Sequence, residues 1–219
     1  TTEIYTLSLH DALPISQDDK ARAALLAREA EDLMAAGKTG EACEKLHDSR
    51  RLDPRGSTVL DLALCREKEG RLGTAYALFD EAERIANEEK RSDRAATAKA
   101  RKNAIYLKLA RVTVNVPKDV VVPGLEVRIG LAKDPNRLLV MPQNEWGKAF
   151  PADAGEVLVQ VTAPNKATWE TKFQLTAAGR NTVTVPALKE GSGPTPLPPI
   201  GGPDPGPGPR SEERRVGKE

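Results

Sequence analysis

Histidine, cysteine and aromatic residues are scarce in this chain. With two His, two Cys and 4% aromatic side chains in 219 residues, there is little to build a metal cluster or a Ser/His or Cys/His nucleophilic site. Long apolar runs are missing too, and none approaches the roughly 20 residues that cross a bilayer as a helix. Charge of one sign is not in excess. The 33 Lys+Arg face 32 Asp+Glu, a formal net charge of +1, so no broad attraction to nucleic acid or to an anionic membrane surface is expected. No phosphate-cradling Gly-rich loop occurs, since Gly201-Gly202 lie in a Pro-rich stretch. A non-enzymatic protein without cofactor or metal is therefore expected.

The two ends read as foreign to the fold. Arg210-Ser211-Glu212-Glu213 translates AGATCGGAAGAGC, and the reverse complement, GCTCTTCCGATCT, translates as Ala12-Leu13-Pro14-Ile15 and opens a Ser codon at Ser16. Residues 1–16 and 210–219 thus resemble a short sequencing adapter translated at both ends, and are set aside before fold reasoning. The segment between them is expected to be a fragment, with a signal peptide or membrane anchor possible in the missing flanks.

Three compositional zones remain. Residues 17–110 are rich in Ala, Leu, Glu, Lys and Arg, with Pro54 the one proline, which predicts helices. Residues 111–190 turn to Val, Thr and Pro with period-two alternation, which predicts strands. Residues 191–209 are mostly Pro and Gly and read as a linker or stalk. The expected fold class is α+β in two domains.

The helical zone repeats itself at a shift of 33 residues. That shift aligns Leu26 with Val59, Ala30 with Ala63, Gly37 with Gly70, Ala42 with Ala75, Leu46 with Phe79 and Ser49 with Ala82. Small and large apolar residues recur at helical spacing, with Gly where two antiparallel helices must turn. These residues resemble the tetratricopeptide repeat, with its small residue midway along the first helix and Ala-x-x-x-Phe in the second. Glu29 and Arg66 depart from the family's Leu and Tyr. The resemblance implies two helical hairpins closed by a capping helix. That last helix is read from the Ser92-Asp93 N-cap pair through residue 110, with Ala98, Ile105 and Leu109 on its buried stripe. It also implies a concave, polypeptide-binding face on the first helices, which carries Ala24, Ala27, Glu31 and Met34, then Ser57, Leu60, Leu64 and Lys68.

The strand zone alternates at Val112/Val114/Val116, Leu125/Val127/Ile129, Val157/Val159/Val161, Trp169/Thr171/Phe173/Leu175 and Val183/Val185. Weaker strands near Leu138 to Met141 and Ala149 make six or seven, the count of a small antiparallel sandwich. The order from Glu126-Val127-Arg128-Ile129-Gly130 through Ala154-Gly155-Glu156 to Trp169 resembles the PEGA-type modules of bacterial envelope proteins. The stretch Lys133 to Trp146 is longer than the turn expected there. Together the two resemblances imply a bacterial envelope protein.

Single residues add little catalytic signal. His47 reads as a surface or half-buried helical histidine. The pairs Asp18-Asp19, Glu31-Asp32 and Glu88-Glu89 read as polar faces or caps. The run Lys99, Arg101, Lys102 and Lys108 is offset by nearby acids and has only Tyr106 to stack on, against nucleic-acid binding. Cys43 and Cys65 are the exception. Each lies eleven residues from Pro54, around which two antiparallel helices join, so the pair should sit at one height. Either a disulfide in an oxidising compartment or two buried thiols in a cytoplasmic protein fits that placement. Two functional readings remain. In one the repeats bind a polypeptide. In the other the sandwich contacts carbohydrate or peptidoglycan, a reading that an exposed Trp146 or Trp169 favours and buried ones oppose.

Overall fold

The computed structural model describes residues 15–191. Most of the two flanking stretches and the Pro/Gly-rich segment fall outside them. Ser16, counted above with the flank, is the N-cap of the first helix, its hydroxyl accepting from the Asp19 N–H at 3.0 Å.

Five helices precede seven strands, so the α+β expectation holds. The helices are α1 Gln17–Ala35, α2 Thr39–Leu52, α3 Gly56–Lys68, α4 Leu72–Glu88 and α5 Ser92–Ile105. The strands are β1 Ala110–Asn115, β2 Glu126–Leu131, β3 Leu139–Met141, β4 Ala149–Ala152, β5 Gly155–Thr162, β6 Trp169–Leu175 and β7 Arg180–Thr184.

One turn motif joins the helices three times. A residue in the left-handed region ends α1, α3 and α4: Gly37 at φ +75°, Gly70 at +83° and Lys90 at +57°. At each turn that residue's N–H reaches the carbonyl three residues back, and the following N–H reaches five back. This is the Schellman pattern, which satisfies carbonyls left over at a helix C-terminus. At the third turn it delivers the chain to α5 through Arg91, so Ser92 is already helical. The expected Ser92-Asp93 cap is therefore corrected. Arg91 holds the cap position without a side-chain bond, and the Asp93 carboxylate pairs with Arg91 instead.

The 33-residue register is also the register of the helical core. Ala30, Ala42, Leu46 and Ser49 are buried, as are their equivalents Ala63, Ala75, Phe79 and Ala82. Ser49 keeps its hydroxyl satisfied by donating to the Ala23 carbonyl at 2.8 Å. Ala95, Ala98 and Ile105 of α5 seal the far side. That helix ends at Ile105 rather than near residue 110, and Tyr106–Lys108 form a 3-10 turn. Leu109, expected on its stripe, is fully buried from the connector instead.

The strands form two sheets, in the orders β4-β1-β7 and β3-β2-β5-β6. Val112 and Val114 of one face Val127, Ile129, Val157, Val159 and Val161 of the other in a single core. All ladders are antiparallel except β1–β7, which pairs Arg111 with Arg180 through Asn115 with Thr184 in parallel. Parallel partners need a crossover rather than a hairpin, and the intervening four-stranded sheet supplies it.

Leu109 belongs to the helical core and Ala110 to the sandwich core, so one peptide bond separates the two. The halves also dock through side chains. Asp153, after β4, accepts from the Thr74 N–H at 2.8 Å, the Thr74 hydroxyl at 2.6 Å and Arg71 Nε at 3.0 Å. Arg71 also pairs with Asp134 at 3.3 Å. Arg137 of the sandwich and Arg66 of α3 both bind the Glu44 carboxylate.

Candidate functional site

The face read from the sequence as concave forms a groove between α1 and α3. Its volume is about 320 Å³. Ala27, Glu31 and Met34 from α1 and Leu64 from α3 line it, over a floor of Ala30 and Leu46. The helical spacing of these positions turns them to one side, and the alanines let the backbones approach closely enough to leave a channel rather than a filled interface.

The other expected face residues divide. Ala24 and Ser57 line an adjoining depression of about 230 Å³ that shares Ala27 and Glu31. Leu60 is 9% exposed and belongs to the helical core. Lys68 is exposed at the C-terminal end of α3 and lines neither hollow. The sequence reading passed over Asp61, which lines the groove. It stands four residues after Ser57 and three before Leu64, so its helical spacing was the available signal.

Asp61 is unusual electrostatically. Although solvent reaches it, surrounding protein desolvates its carboxylate and raises its pKa, and repulsion from Glu31 adds to this while Arg94 partly opposes it. Two like charges therefore border an apolar floor without neutralising one another.

Cys43 and Cys65 form a disulfide with a Cα separation of 5.6 Å, and among the described residues there is no free cysteine. It ties α2 to α3 beneath the groove, with Cys65 Sγ 3.7 Å from Met34 Sδ. The fixed height of the two cysteines about Pro54 is what brings the Cα atoms into bonding range.

Elsewhere the polar side chains are largely matched. His47 is half-buried, and its Nδ1 lacks a hydrogen-bond partner in the protein. Desolvation, then the charge of Arg137, lowers its pKa and keeps it neutral. It borders a cleft of about 150 Å³ with Arg50, Arg66, Arg71 and Arg137, each paired with an acid. Glu89 accepts from the Gly56 N–H at 3.0 Å and so caps α3. Lys102 bridges Asp80 at 2.8 Å and Glu83 at 2.6 Å, and Arg101 meets Glu67 at 3.1 Å, so two members of the basic run are already paired.

Both tryptophans are half-buried against the sandwich core. Trp146 donates its Nε1–H to the Met141 carbonyl at 3.3 Å. Trp169 also borders a hollow of about 410 Å³ with Thr168, Pro186, Leu188 and Lys189.

Among the described residues no group of three or more His, Cys, Asp and Glu is placed to hold a metal ion. No described helix is long and apolar enough to cross a membrane. The site and fold define a helical array with a lined groove between α1 and α3, docked on a two-sheet sandwich. Comparison with known proteins finds no family model, no curated protein and no solved structure that matches the chain.

Proposed function

We propose that this chain is a non-enzymatic protein-interaction module of a bacterial cell-envelope protein, with its helical repeats binding a polypeptide and its sandwich holding them in place. The observation that supports this reading is the α1–α3 groove, where Ala27, Glu31, Met34 and Leu64 converge. It is open along the helices, apolar at its floor and bordered by charge, as helix-in-groove recognition requires. Rigid attachment of the repeats to the sandwich through Asp153 suits a scaffold. The disulfide supports a periplasmic or other oxidising setting, where such bonds persist.

A second reading, a stalk whose sandwich contacts carbohydrate or peptidoglycan, draws on the hollow beside Trp169. Against it, Trp146 turns its polar edge inward to a carbonyl, and both indoles are partly spent on the core.

Solution NMR of the full chain separates the two. Titration with pooled helical peptides should shift the methyl signals of Met34 and Leu64 and leave the indole signals in place. A response confined to Trp146 or Trp169 on adding peptidoglycan fragments would transfer the binding function to the sandwich.

A further inference from the structure

The groove's charge specifies its occupant more closely than its shape does. Several acids on the helices around it are matched within the fold, Glu29 with Lys45 at 2.6 Å, Glu67 with Arg101 at 3.1 Å and Glu89 with Arg94 at 3.4 Å, while Asp18 and Asp32 of α1 lie outside the groove lining. Glu31 and Asp61, the two charged residues that line the groove, have no ion-pair partner among the described residues. Arg94 acts on Asp61 from a distance, but its guanidinium is engaged by Glu89. The fold thus leaves a like-charged pair unneutralised at the rim of an apolar channel between α1 and α3. Holding that arrangement costs stability, because the Asp61 carboxylate is partly desolvated in the field of Glu31.

Resting on the polypeptide-binding reading, we infer that the groove takes a segment that sets a lysine or arginine between Glu31 and Asp61. An apolar side chain of the same segment lies on the floor made by Ala30 and Leu46. A cation there replaces repulsion by two attractive contacts at once, and the apolar neighbour excludes water and strengthens both. An acidic segment meets like charge in the same place, so the groove selects against it as well as for its partner. Met34 adds an adaptable wall, which lets the apolar side chain vary in shape while the cation stays fixed.

The test is a positional-scanning library of helix-forming peptides, in which each position is held in turn as one of the common residues. Binding is read by fluorescence anisotropy with the oxidised full chain. Pools carrying Lys or Arg three or four residues from Leu, Ile, Met or Phe should bind about tenfold more tightly than pools with Glu at the basic position. In the double variant Glu31→Gln/Asp61→Asn that preference should fall to near one, while helix content and melting temperature stay at or above those of the parent chain. Binding without a basic preference would overturn this inference and leave polypeptide binding intact. A preference that survives the double variant would place the cation's partner elsewhere and overturn it as well. If no pool binds, polypeptide binding itself fails and takes the inference with it.

Discussion

Asp153 of the sandwich caps helix α4. Its Oδ1 accepts from the Thr74 N–H at 2.8 Å, and its Oδ2 takes the Thr74 hydroxyl at 2.6 Å and Arg71 Nε at 3.0 Å. The carboxylate is 6% exposed, so its charge sits out of water at the positive end of the helix dipole, and three donors compensate it. Removing it leaves Arg71, 13% exposed, with only Asp134, and frees the α4 N-terminus. Asp153→Ala should therefore cost about 3 kcal/mol, the order found when one partner of a buried ion pair is deleted. Both tryptophans lie in the strand region, so fluorescence follows the sandwich and circular dichroism at 222 nm follows the helices. In the parent chain the two urea transitions should coincide, and in Asp153→Ala they should part. Coincident transitions in the variant would show that the connector and the remaining ion pairs, Arg71 with Asp134 and Arg137 with Glu44, suffice to couple the halves.

Gly73 tests the same junction by volume. A Cβ there would lie 2.3 Å from the Ala152 carbonyl carbon and 2.6 Å from its oxygen, both backbone atoms that cannot swing aside. Helix propensity favours Ala over Gly by about 1 kcal/mol in an open helix. Here the clash reverses the sign, and Gly73→Ala should lose about 1–3 kcal/mol, the usual range for overpacking. Thermal melts check it, and a gain in melting temperature would mean that the sandwich can step back from α4 at little cost.

Reducing the disulfide should also destabilise the fold. Cys43 and Cys65 are 22 residues apart, and closing a loop of that length contributes about 3 kcal/mol in the chain-entropy model. For a chain of this size the melting temperature should drop by roughly 6–12 °C on adding reductant. The Cys43→Ala/Cys65→Ala pair should melt at the lower value with or without reductant. Peptide mapping without reduction should recover the two cysteines linked, and two free thiols there would remove the support for an oxidising compartment.

Local pattern made the fold legible, and long-range polar partners did not. The register that pairs Ala30 with Ala63 and Leu46 with Phe79 could be read because a buried helical face repeats in sequence as it repeats in space. The strands could be read from the alternation around Val112, Val127 and Val159. Neither signal reports what caps a helix from another element, so Glu89 on the α3 N-terminus and Asp153 on the α4 N-terminus were not anticipated. The parallel placement of β7 beside β1 was invisible for the same reason, since alternation is identical in either direction. In the candidate groove, Ala27, Glu31, Met34 and Leu64 followed from spacing and the repeat resemblance. Leu60 went to the helical core, which the face pattern alone does not reveal, and Asp61 escaped notice because an exposed acid on a helix ordinarily has nothing to explain.

Lys90 is the third of the left-handed turn residues and the only one with a side chain. Gly37 and Gly70 adopt φ of +75° and +83° without a Cβ, whereas Lys90 holds +57° against its own carbonyl. A residue other than Gly pays roughly 1 kcal/mol for that conformation, partly offset by the greater freedom Gly has when unfolded. Lys90→Gly should therefore stabilise by about 0.5 kcal/mol, while Gly37→Ala and Gly70→Ala should each destabilise by about 1 kcal/mol. Nothing lies within 4 Å of a Cβ built at Gly37 or Gly70, so any loss there reports backbone strain and not a clash. Chemical denaturation of the three variants decides the matter. A loss in Lys90→Gly would show that the long side chain contributes more than its backbone costs.

The acid limb of stability should carry the signature of Glu44. Arg137 from the sandwich, and then Arg66 of α3, bind its carboxylate and bring its pKa from 4.5 down to about 2, against an opposing push from desolvation. The folded chain therefore holds a proton on Glu44 less readily than the unfolded chain does. Its contribution is complete above pH 4.5 and is lost as the pH falls from there toward 2. Because the side chain is 45% exposed, solvent screening limits that contribution to about 1 kcal/mol. His47 acts in an earlier window. Its lowered pKa keeps it neutral in the fold, so its protonation costs stability as the pH drops below 6.5, before Glu44 begins to titrate. Measured by urea denaturation at steps from pH 7 to 2, Glu44→Gln should be about 1 kcal/mol less stable than the parent at neutral pH, and the two curves should converge below the carboxylate range. Between pH 6.5 and 5 the Glu44→Gln curve should fall at least as steeply as the parent's, since the Glu44 charge, which opposes the lowering of the His47 pKa, is then gone. Curves that stay parallel down to pH 2 would show that the Arg137–Glu44–Arg66 bridge adds nothing to the docking of sandwich on helices, leaving Asp153 to hold it.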